Sequence, residues 1–209
     1  MSYIVPKNWD EVESKEMGDF TNLTIGGHIC KILDVREYTS EQTGNTSLKV
    51  SVDIAEGSEF DDYFKKQYDK NPLSEAKWPS GAVKYLSLKE EQTSYLKGFI
   101  TAVENSNPGI KIKVTPGKEL DYEQFKNKKI VGVFALEEYE NDKKEIKTAT
   151  KLTQFRSLDK LNEIQEPKVK LLNGEYVTYD DYEEFYRDRK KGGNEKNTEV
   201  SITDNMLPF

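Results

Sequence analysis

A pair of β-strands near the start of the chain limits what this sequence can fold into more than any other stretch. The first strand is predicted from His28 to Tyr38 and mixes β-branched residues with charged ones. The second is predicted from Leu48 to Ile54, where apolar and polar residues alternate. A period of two with β-branched residues indicates an antiparallel strand that is buried on one face. We therefore expect Lys49, Ser51 and Asp53 to lie on the solvated face of the second strand.

The segment between these strands predicts a hairpin turn. Residues 39–46 contain Ser, Thr, Gly and Asn, which favour turns, and no apolar side chain. Gly26 and Gly27 stand before the first strand and allow a sharp bend or a bulge there. A small Greek-key barrel often begins with such a hairpin, but the hairpin alone favours the broader class of antiparallel sheets with one solvated face.

Composition and charge exclude several classes of protein. The chain has 209 residues, a length that suits one domain with appendages. Its net charge is −7, which is not typical of a nucleic-acid-binding protein, so the charge of each segment must be examined separately. No apolar run reaches the length of a membrane span, and Met1-Ser2-Tyr3 begins no secretory signal. The single Cys30 excludes an intrachain disulfide and a cysteine-based metal site. We expect a cytoplasmic protein in a bacterial cell, without metal, cofactor or membrane association.

The elements that follow the first hairpin have an order that favours one fold. Phe60 to Pro79 predicts a third strand or a short helical turn. Leu88 to Val103 has apolar residues at helical spacing, with Ser87 as a possible cap and Gly98 permitting close approach to a sheet. A second hairpin is predicted over residues 130–155. The order of three strands, a helix and two strands is that of the OB-fold, a five-stranded Greek-key barrel.

These elements divide the chain into four parts. We predict a mainly β protein with helices, in which residues 1–22 form an N-terminal arm and residues 23–160 an OB-fold domain. Residues 161–191 are interpreted as a linker and an amphipathic C-terminal helix, whose aromatic stripe either docks on the barrel, which we favour, or binds a partner. Residues 192–209 have few apolar side chains that could form a core and predict a flexible, disordered acidic tail.

Aromatic and basic residues are interleaved in the segment after the first hairpin. A groove for single-stranded nucleic acid needs aromatic rings that stack on bases, each worth about 1–3 kcal/mol, and cations that follow phosphates. The alternative is that Phe60, Phe64 and Trp78 belong to the core, and the sequence leaves this open. Binding through basic side chains should weaken steeply with salt. The candidate nucleic-acid-binding residues are Lys31, Arg36, Tyr38, Lys49, Tyr63, Lys65, Lys66, Trp78, Tyr139, Lys143, Lys144, Lys147, Lys151 and Arg156.

An enzymatic function is not expected from the residues present. The paired carboxylates Asp61-Asp62 and Asp180-Asp181 are adjacent, so their side chains diverge on a strand and do not share one face of a helix. His28 is the only histidine, and the sequence has neither a Gly-rich phosphate loop nor a nucleophile motif of the GxSxG type.

The last residues of the chain form a candidate recognition peptide. An acidic residue is followed by apolar residues and by Pro-Phe with a free carboxylate, and capture of such a carboxylate is a recurrent mode of peptide recognition. The candidate partner-binding residues are Asp204, Met206, Leu207, Pro208 and Phe209.

Residues 204–209 resemble the acidic tip of bacterial single-stranded-DNA-binding proteins. Roughly residues 20–160 are similar to phage and prophage single-strand binders of Gram-positive bacteria, through the segments GGHICKILDV, DIAEG, LKGFITAVENSNPG and KKIVGVFALEEY. The resemblance implies an OB-fold protein that coats single-stranded DNA and recruits replication, recombination and repair proteins. It assigns partner docking to Asp204, Leu207, Pro208 and Phe209. It identifies no residue that contacts DNA. Asn205 replaces a second acid, which would weaken or redirect partner binding.

A second class of function remains open beside DNA coating. The negative net charge of the chain also suits a protein-only interaction module, which binds other proteins and has no DNA binding of its own. A recombination mediator or an inhibitor of host factors would be of this kind. A homo-oligomer is possible, and nothing in the sequence decides the oligomeric state.

Overall fold

A computed structural model of the protein describes residues 22–71 and 76–186. Strands β1 (Gly26–Thr39) and β2 (Thr46–Ile54) form the first hairpin, which confirms the prediction. Their antiparallel register is continuous except for a bulge at Leu33. The bulge lets Ile32 and Val35 both face the core, because the extra residue resets the side-to-side alternation of β1.

The remaining elements follow in chain order. Helix α1 (Tyr63–Asp69) precedes strand β3 (Val83–Ser87), helix α2 (Thr93–Ser106) and the second hairpin, strands β4 (Lys129–Glu140) and β5 (Ile146–Arg156). Two short strands, β6 (Val169–Lys170) and β7 (Tyr176–Val177), and helix α3 (Tyr179–Asp181) come last, and α3 continues into a π-helical turn, Tyr182–Tyr186. Short 3-10 helices lie at Ser80–Ala82, Glu90–Gln92, Tyr122–Phe125 and Leu158–Glu163.

All the strands belong to one mixed sheet. Its order is β3-β2-β1-β4-β6-β7, and β5 pairs with β4. Strand β5 approaches the 3-10 turn that precedes β3, where the Lys151 Nζ donates a hydrogen bond of 2.8 Å to the Ser80 Oγ. No backbone ladder joins β3 to β5 in the described part of the chain, so the sheet is open. The mainly β class with helices is confirmed, whereas the closed five-stranded barrel is not.

The main core lies between the sheet and the two longer helices. Val50 and Val52 of β2 and Phe134 of β4 are fully or almost fully buried there. Helix α1 contributes Phe64, whose ring stacks on Phe134 at 5.7 Å, and α2 contributes Phe99. Burial of each large apolar side chain stabilises the fold by about 1.5–3 kcal/mol.

Several predicted elements differ from those observed. Residues 60–79 contain α1, so the helical alternative is right there, and the third strand lies later, at Val83–Ser87. Helix α2 begins at Thr93, because residues before it form a 3-10 turn, and Ser87 accepts a hydrogen bond from the Lys89 N–H instead of capping α2. Gly98 faces open space, so the predicted close approach to the sheet is wrong.

The polar face predicted for β2 is only partly solvated. Ser51 and Asp53 are 6% and 2% exposed, which contradicts the prediction for these two residues. Asp53 is covered because α1 packs over this end of β2 and directs its first N–H groups at the carboxylate. Lys49, nearer the hairpin turn, stays partly exposed.

The segment after β5 forms a small second cluster on the sheet. Tyr182 is buried against Val169 and Leu171, so this part of the aromatic stripe predicted for the C-terminal helix docks on the body of the protein, whereas Phe185 is 63% exposed. The strands β6 and β7 were not predicted, because two-residue strands carry no periodic signal. Residues 1–21 of the predicted arm, residues 187–191 of the predicted helix and the whole predicted tail lie outside the described residues.

Candidate nucleic-acid interface

Strands β1, β2 and β3 bring two cations and two tyrosines onto one face of the sheet. Arg36 of β1 pairs with Lys49 of β2, which in turn pairs with Tyr85 of β3. Directly paired residues of antiparallel strands point to the same side, and so does Tyr38, two residues after Arg36. We call this surface, formed by Arg36, Tyr38, Lys49 and Tyr85 with Lys77 beside it, the Tyr38–Tyr85 face.

The two tyrosines are in contact and open to solvent. Their ring centroids lie 5.2 Å apart, with an angle of 53° between the ring planes. Tyr38 is 42% and Tyr85 46% exposed. Exposed aromatic rings held in fixed positions by neighbouring strands are the platforms on which unpaired bases stack.

The charge of this face is only partly neutralised. Arg36 forms an ion pair of 3.3 Å with Asp34. Lys49 has a lowered pKa because it is partly buried and because the positive charges of Arg36 and Lys77 lie close by, although the charge of Asp34 partly compensates. No carboxylate of the described residues lies within ion-pair distance of Lys49. A phosphate anion would relieve the repulsion between these cations, so the face is suited to a polyanion.

Local features of β1 and β2 create this face. The bulge at Leu33 places Asp34, Arg36 and Tyr38 outward while Val35 faces the core. Helix α1 covers the far end of β2 only, so the end near the hairpin turn stays open. Of the predicted binding residues, Arg36, Tyr38 and Lys49 are brought together, and Lys31 lies farther along β1, opposite the buried Asp53.

The aromatic residues after the first hairpin pack in or against the core, except Tyr68, which is exposed. The Tyr63 hydroxyl accepts a hydrogen bond of 3.3 Å from the Leu23 N–H, and the Trp78 Nε1–H donates one of 3.1 Å to the Val52 carbonyl. Phe60 and Phe64 are buried. The core alternative is therefore right for Phe60 and Phe64, whereas Tyr63 and Trp78 are partly buried and pack against the core.

The lysines of α1 bind acceptors in α1 or in the residues just before it. Lys65 forms an ion pair with Asp69, and the Lys66 Nζ donates a hydrogen bond of 2.6 Å to the Asp61 carbonyl. Neither residue lies in the strands that form the Tyr38–Tyr85 face.

The predicted residues of the second hairpin lie elsewhere. Tyr139 is 45% exposed, Lys144 pairs with Glu140 at 3.0 Å, and Lys147 pairs with Glu145 at 3.1 Å. Lys143 lies in the turn between them. Lys151 and Arg156 of β5 line a separate groove. The predicted site residues therefore form at least two surfaces and not one.

Sequence reasoning missed the two residues that complete the face. Tyr85 belongs to β3, which was not recognised as a strand, although Val83–Ser87 has partial alternation after the break at Pro79. Lys77 lies in the segment before β3, and nothing in the sequence indicates that it approaches Lys49. The signal for Tyr85 was weak because β3 has only five residues.

Three features of the described residues concern nucleophiles, metal ligands and membrane-spanning helices. Burial raises the pKa of the Cys30 thiol to about 12, so this cysteine is not a nucleophile at neutral pH. Among residues 22–71 and 76–186, no group of three or more His, Cys, Asp or Glu side chains is placed to hold a metal ion. No helix within these ranges is both long enough and apolar enough to cross a membrane.

Comparisons with known proteins do not assign the chain to a family. No protein-family model matches the sequence, and no curated protein matches it at a significant level.

Proposed function

We propose that this chain is a non-enzymatic protein that binds single-stranded DNA on the Tyr38–Tyr85 face without strong sequence preference. The observation that carries the proposal is the exposed pair of tyrosine rings 5.2 Å apart, next to the cations Arg36 and Lys49. Rings supply stacking that every base can use, and the cations supply phosphate contacts, so neither requires a particular sequence.

The same face favours single strands over duplex DNA. In a duplex the base faces are covered by neighbouring bases, so the two tyrosines could stack only on bases that are unpaired or splayed out. The outward cations would still contact a duplex through its phosphates, but only weakly and non-specifically.

The sheet is compatible with an OB-type barrel. The order β1-β2-β3-α2-β4-β5, the pairing of β1 with β4, and the approach of Ser80 to Lys151 all support this architecture. In OB-folds, the face around the second and third strands binds oligonucleotides, and β2 and β3 here carry Lys49 and Tyr85.

Recruitment of other proteins is the second part of the proposal. Residues 204–209 resemble the tip through which single-strand binders dock replication, recombination and repair proteins, so we assign the same role to Asp204, Met206, Leu207, Pro208 and Phe209. Removal of Phe209 should abolish recruitment and leave DNA binding intact.

The test is fluorescence anisotropy of labelled oligo-dT and of a duplex of the same length, at low and high salt. The wild-type chain should bind oligo-dT more tightly than duplex, and the affinity should fall with salt. The double variant Tyr38→Ala, Tyr85→Ala should lose most of the affinity, because the stacking platforms are removed. Tyr95→Ala is the matched control, since Tyr95 is 68% exposed and belongs to α2, not to any of these strands.

Two results would contradict the proposal. If the wild-type chain bound neither oligonucleotide, the protein-only interaction module would be the better account. If the double variant and the Tyr95 control bound oligo-dT equally well, binding would occur on a different surface.

A further inference from the structure

A second basic surface lies on the other side of the edge strand β3. It is an open groove of about 900 Å³ between the outer side of β4 and β5 and the segment that follows β5. Six cations and three carboxylates line it, an excess of positive charge within a chain of net charge −7. We call it the Lys84 groove. Its cations are Lys84, Lys151, Arg156, Lys160, Lys168 and Lys170.

The cations of this groove differ in how they are held. Lys160 and Lys170 form ion pairs with Glu163 and Glu137, at 2.9 and 2.5 Å. Lys151 and Arg156 donate to neutral oxygens, those of Ser80 and Gln154. The charges of Lys151 and Arg156 remain available, since a neutral acceptor does not cancel them. Lys84 and Lys168 form no ion pair with any described residue, so four of the six cations keep a charge that no ion pair neutralises.

Lys84 occupies an unusual position for a lysine. It is half-buried on β3, where burial lowers its pKa and Lys170 repels it, although Glu137 partly compensates. A lysine held in such a place keeps its ammonium group partly dehydrated and directed into the groove. An incoming phosphate would provide the counter-charge that the described residues supply only in part.

The two surfaces meet at β3. Lys84 and Tyr85 are consecutive residues of this strand, so their side chains point to opposite sides. Strand β3 is an edge of the sheet, so no further strand separates the Tyr38–Tyr85 face from the Lys84 groove. A flexible single strand that leaves Tyr85 over this edge arrives at Lys84.

From this geometry we infer that single-stranded DNA continues from the Tyr38–Tyr85 face across the edge of β3 into the Lys84 groove, which binds its phosphates. The inference rests on the proposed function and extends it, because it gives the bound strand a path around the sheet. The groove contributes charge and only one exposed ring, Tyr176, so this part of the path is electrostatic, with little stacking.

The experiment compares two lengths of oligo-dT, about 5 and about 16 nucleotides, which lie near the limits of the site sizes known for OB-folds. A short oligonucleotide can occupy the Tyr38–Tyr85 face alone, whereas the longer one also reaches the groove. Affinity is measured against salt for the wild type and for the double variant Lys84→Gln, Lys168→Gln. The matched control is the double variant Lys97→Gln, Lys118→Gln. It removes the same charge from two exposed lysines that line neither surface.

For the long oligonucleotide, the groove variant should flatten the slope of log K against log salt by about 1.4, because each phosphate contact to single-stranded DNA contributes about 0.7. For the short oligonucleotide, affinity and slope should remain at the wild-type values. This second result also shows that the variant is folded, since the Tyr38–Tyr85 face is then intact. The control double variant should match the wild type at both lengths.

The outcomes separate the two proposals. If the wild type binds neither length, the proposed function fails, and this inference fails with it. If the short oligonucleotide binds but the groove variant leaves the long one unchanged, only the path through the groove is wrong. Equal losses at both lengths, shared by the control, would show that net charge and not the groove sets the affinity, and would likewise overturn the inference.

Discussion

Tyr38 and Tyr85 meet across a strand to which neither belongs. Their rings lie 5.2 Å apart although β2 separates β1 from β3. Ser47 of β2 pairs with Tyr38, and its small side chain leaves room for the two rings to approach each other diagonally. The contact therefore depends on the pairing of all three strands.

The aromatic character of this pair should matter more than its hydroxyl groups. Tyr38→Phe and Tyr85→Phe should bind oligo-dT almost as well as the wild type, since a phenyl ring stacks equally well. Each alanine variant should lose about 1–3 kcal/mol of binding free energy. Anisotropy titrations of the two single variants and the double variant form a cycle in which the contacting rings should couple. A loss of binding in the Phe variants equal to that of the Ala variants would contradict a stacking role.

Lys49 should contribute an electrostatic contact of its own. Lys49→Gln should reduce the salt dependence of oligo-dT binding by about 0.7 in the slope of log K against log salt. Lys49→Arg should keep the slope, because the charge remains. Lys97→Gln, on the exposed side of α2, is the control and should change nothing. An unchanged slope for Lys49→Gln would place the phosphates elsewhere.

Asp53 should be essential for the attachment of α1. Its carboxylate accepts hydrogen bonds from the N–H groups of Phe64 and Lys65, at 2.9 and 3.1 Å. Asp53→Ala leaves these helix N–H groups without an acceptor in a buried place, so unfolding should require about 2 kcal/mol less free energy. Urea denaturation measures this change, and Asp69→Ala, in the exposed last turn of α1, is the control. Equal stability of the two variants would contradict the capping role.

The ionisation of Asp53 should make stability depend on pH. Burial raises the pKa of this carboxyl above its usual value, although three backbone N–H groups oppose the shift. A raised pKa in the folded state means that the native protein holds a proton where the unfolded chain has released it. The contribution of Asp53 is therefore fully present below its unfolded pKa and is lost as pH rises through its folded pKa.

Asp53→Asn isolates this effect because its side chain does not titrate. As pH rises from mildly acidic values toward neutrality, the unfolding free energy of the wild type should fall relative to that of Asp53→Asn. Urea denaturation across that range measures it. A difference that grew with pH would mean that the hydrogen bonds outweigh burial and keep the pKa low.

Two glycines should respond in opposite ways to the same substitution. A Cβ at Gly81 would lie 2.6 Å from the Thr150 carbonyl oxygen, so Gly81→Ala should push β5 away and cost about 1–3 kcal/mol. Gly98 of α2 has no atom within 4 Å of such a Cβ, so Gly98→Ala should stabilise the helix by about 0.5–1 kcal/mol. Thermal unfolding of both variants tests the pair. If Gly81→Ala left stability unchanged, the 3-10 turn Ser80–Ala82 would not be held tightly against β5.

The sequence by itself determined the elements whose signals are local. Both hairpins, the long helix α2 and the docking stripe that contains Tyr182 follow from periodicity and turn residues over short stretches of chain. The outward direction of Lys49 also follows, because alternation along β2 fixes which side chains share a face, whereas that of Arg36 and Tyr38 depends on the bulge at Leu33.

Only the tertiary structure decided which of those faces stay open and which residues meet on them. Asp53 alternates in the same pattern as Lys49, yet it is buried because α1 folds back over one end of β2. Tyr85 joins Tyr38 through the pairing of β3 with β2, a contact between distant parts of the chain. Periodicity reports the direction of a side chain, whereas its exposure and its neighbours depend on elements far away in sequence, so the candidate site emerged only when the strands were placed side by side.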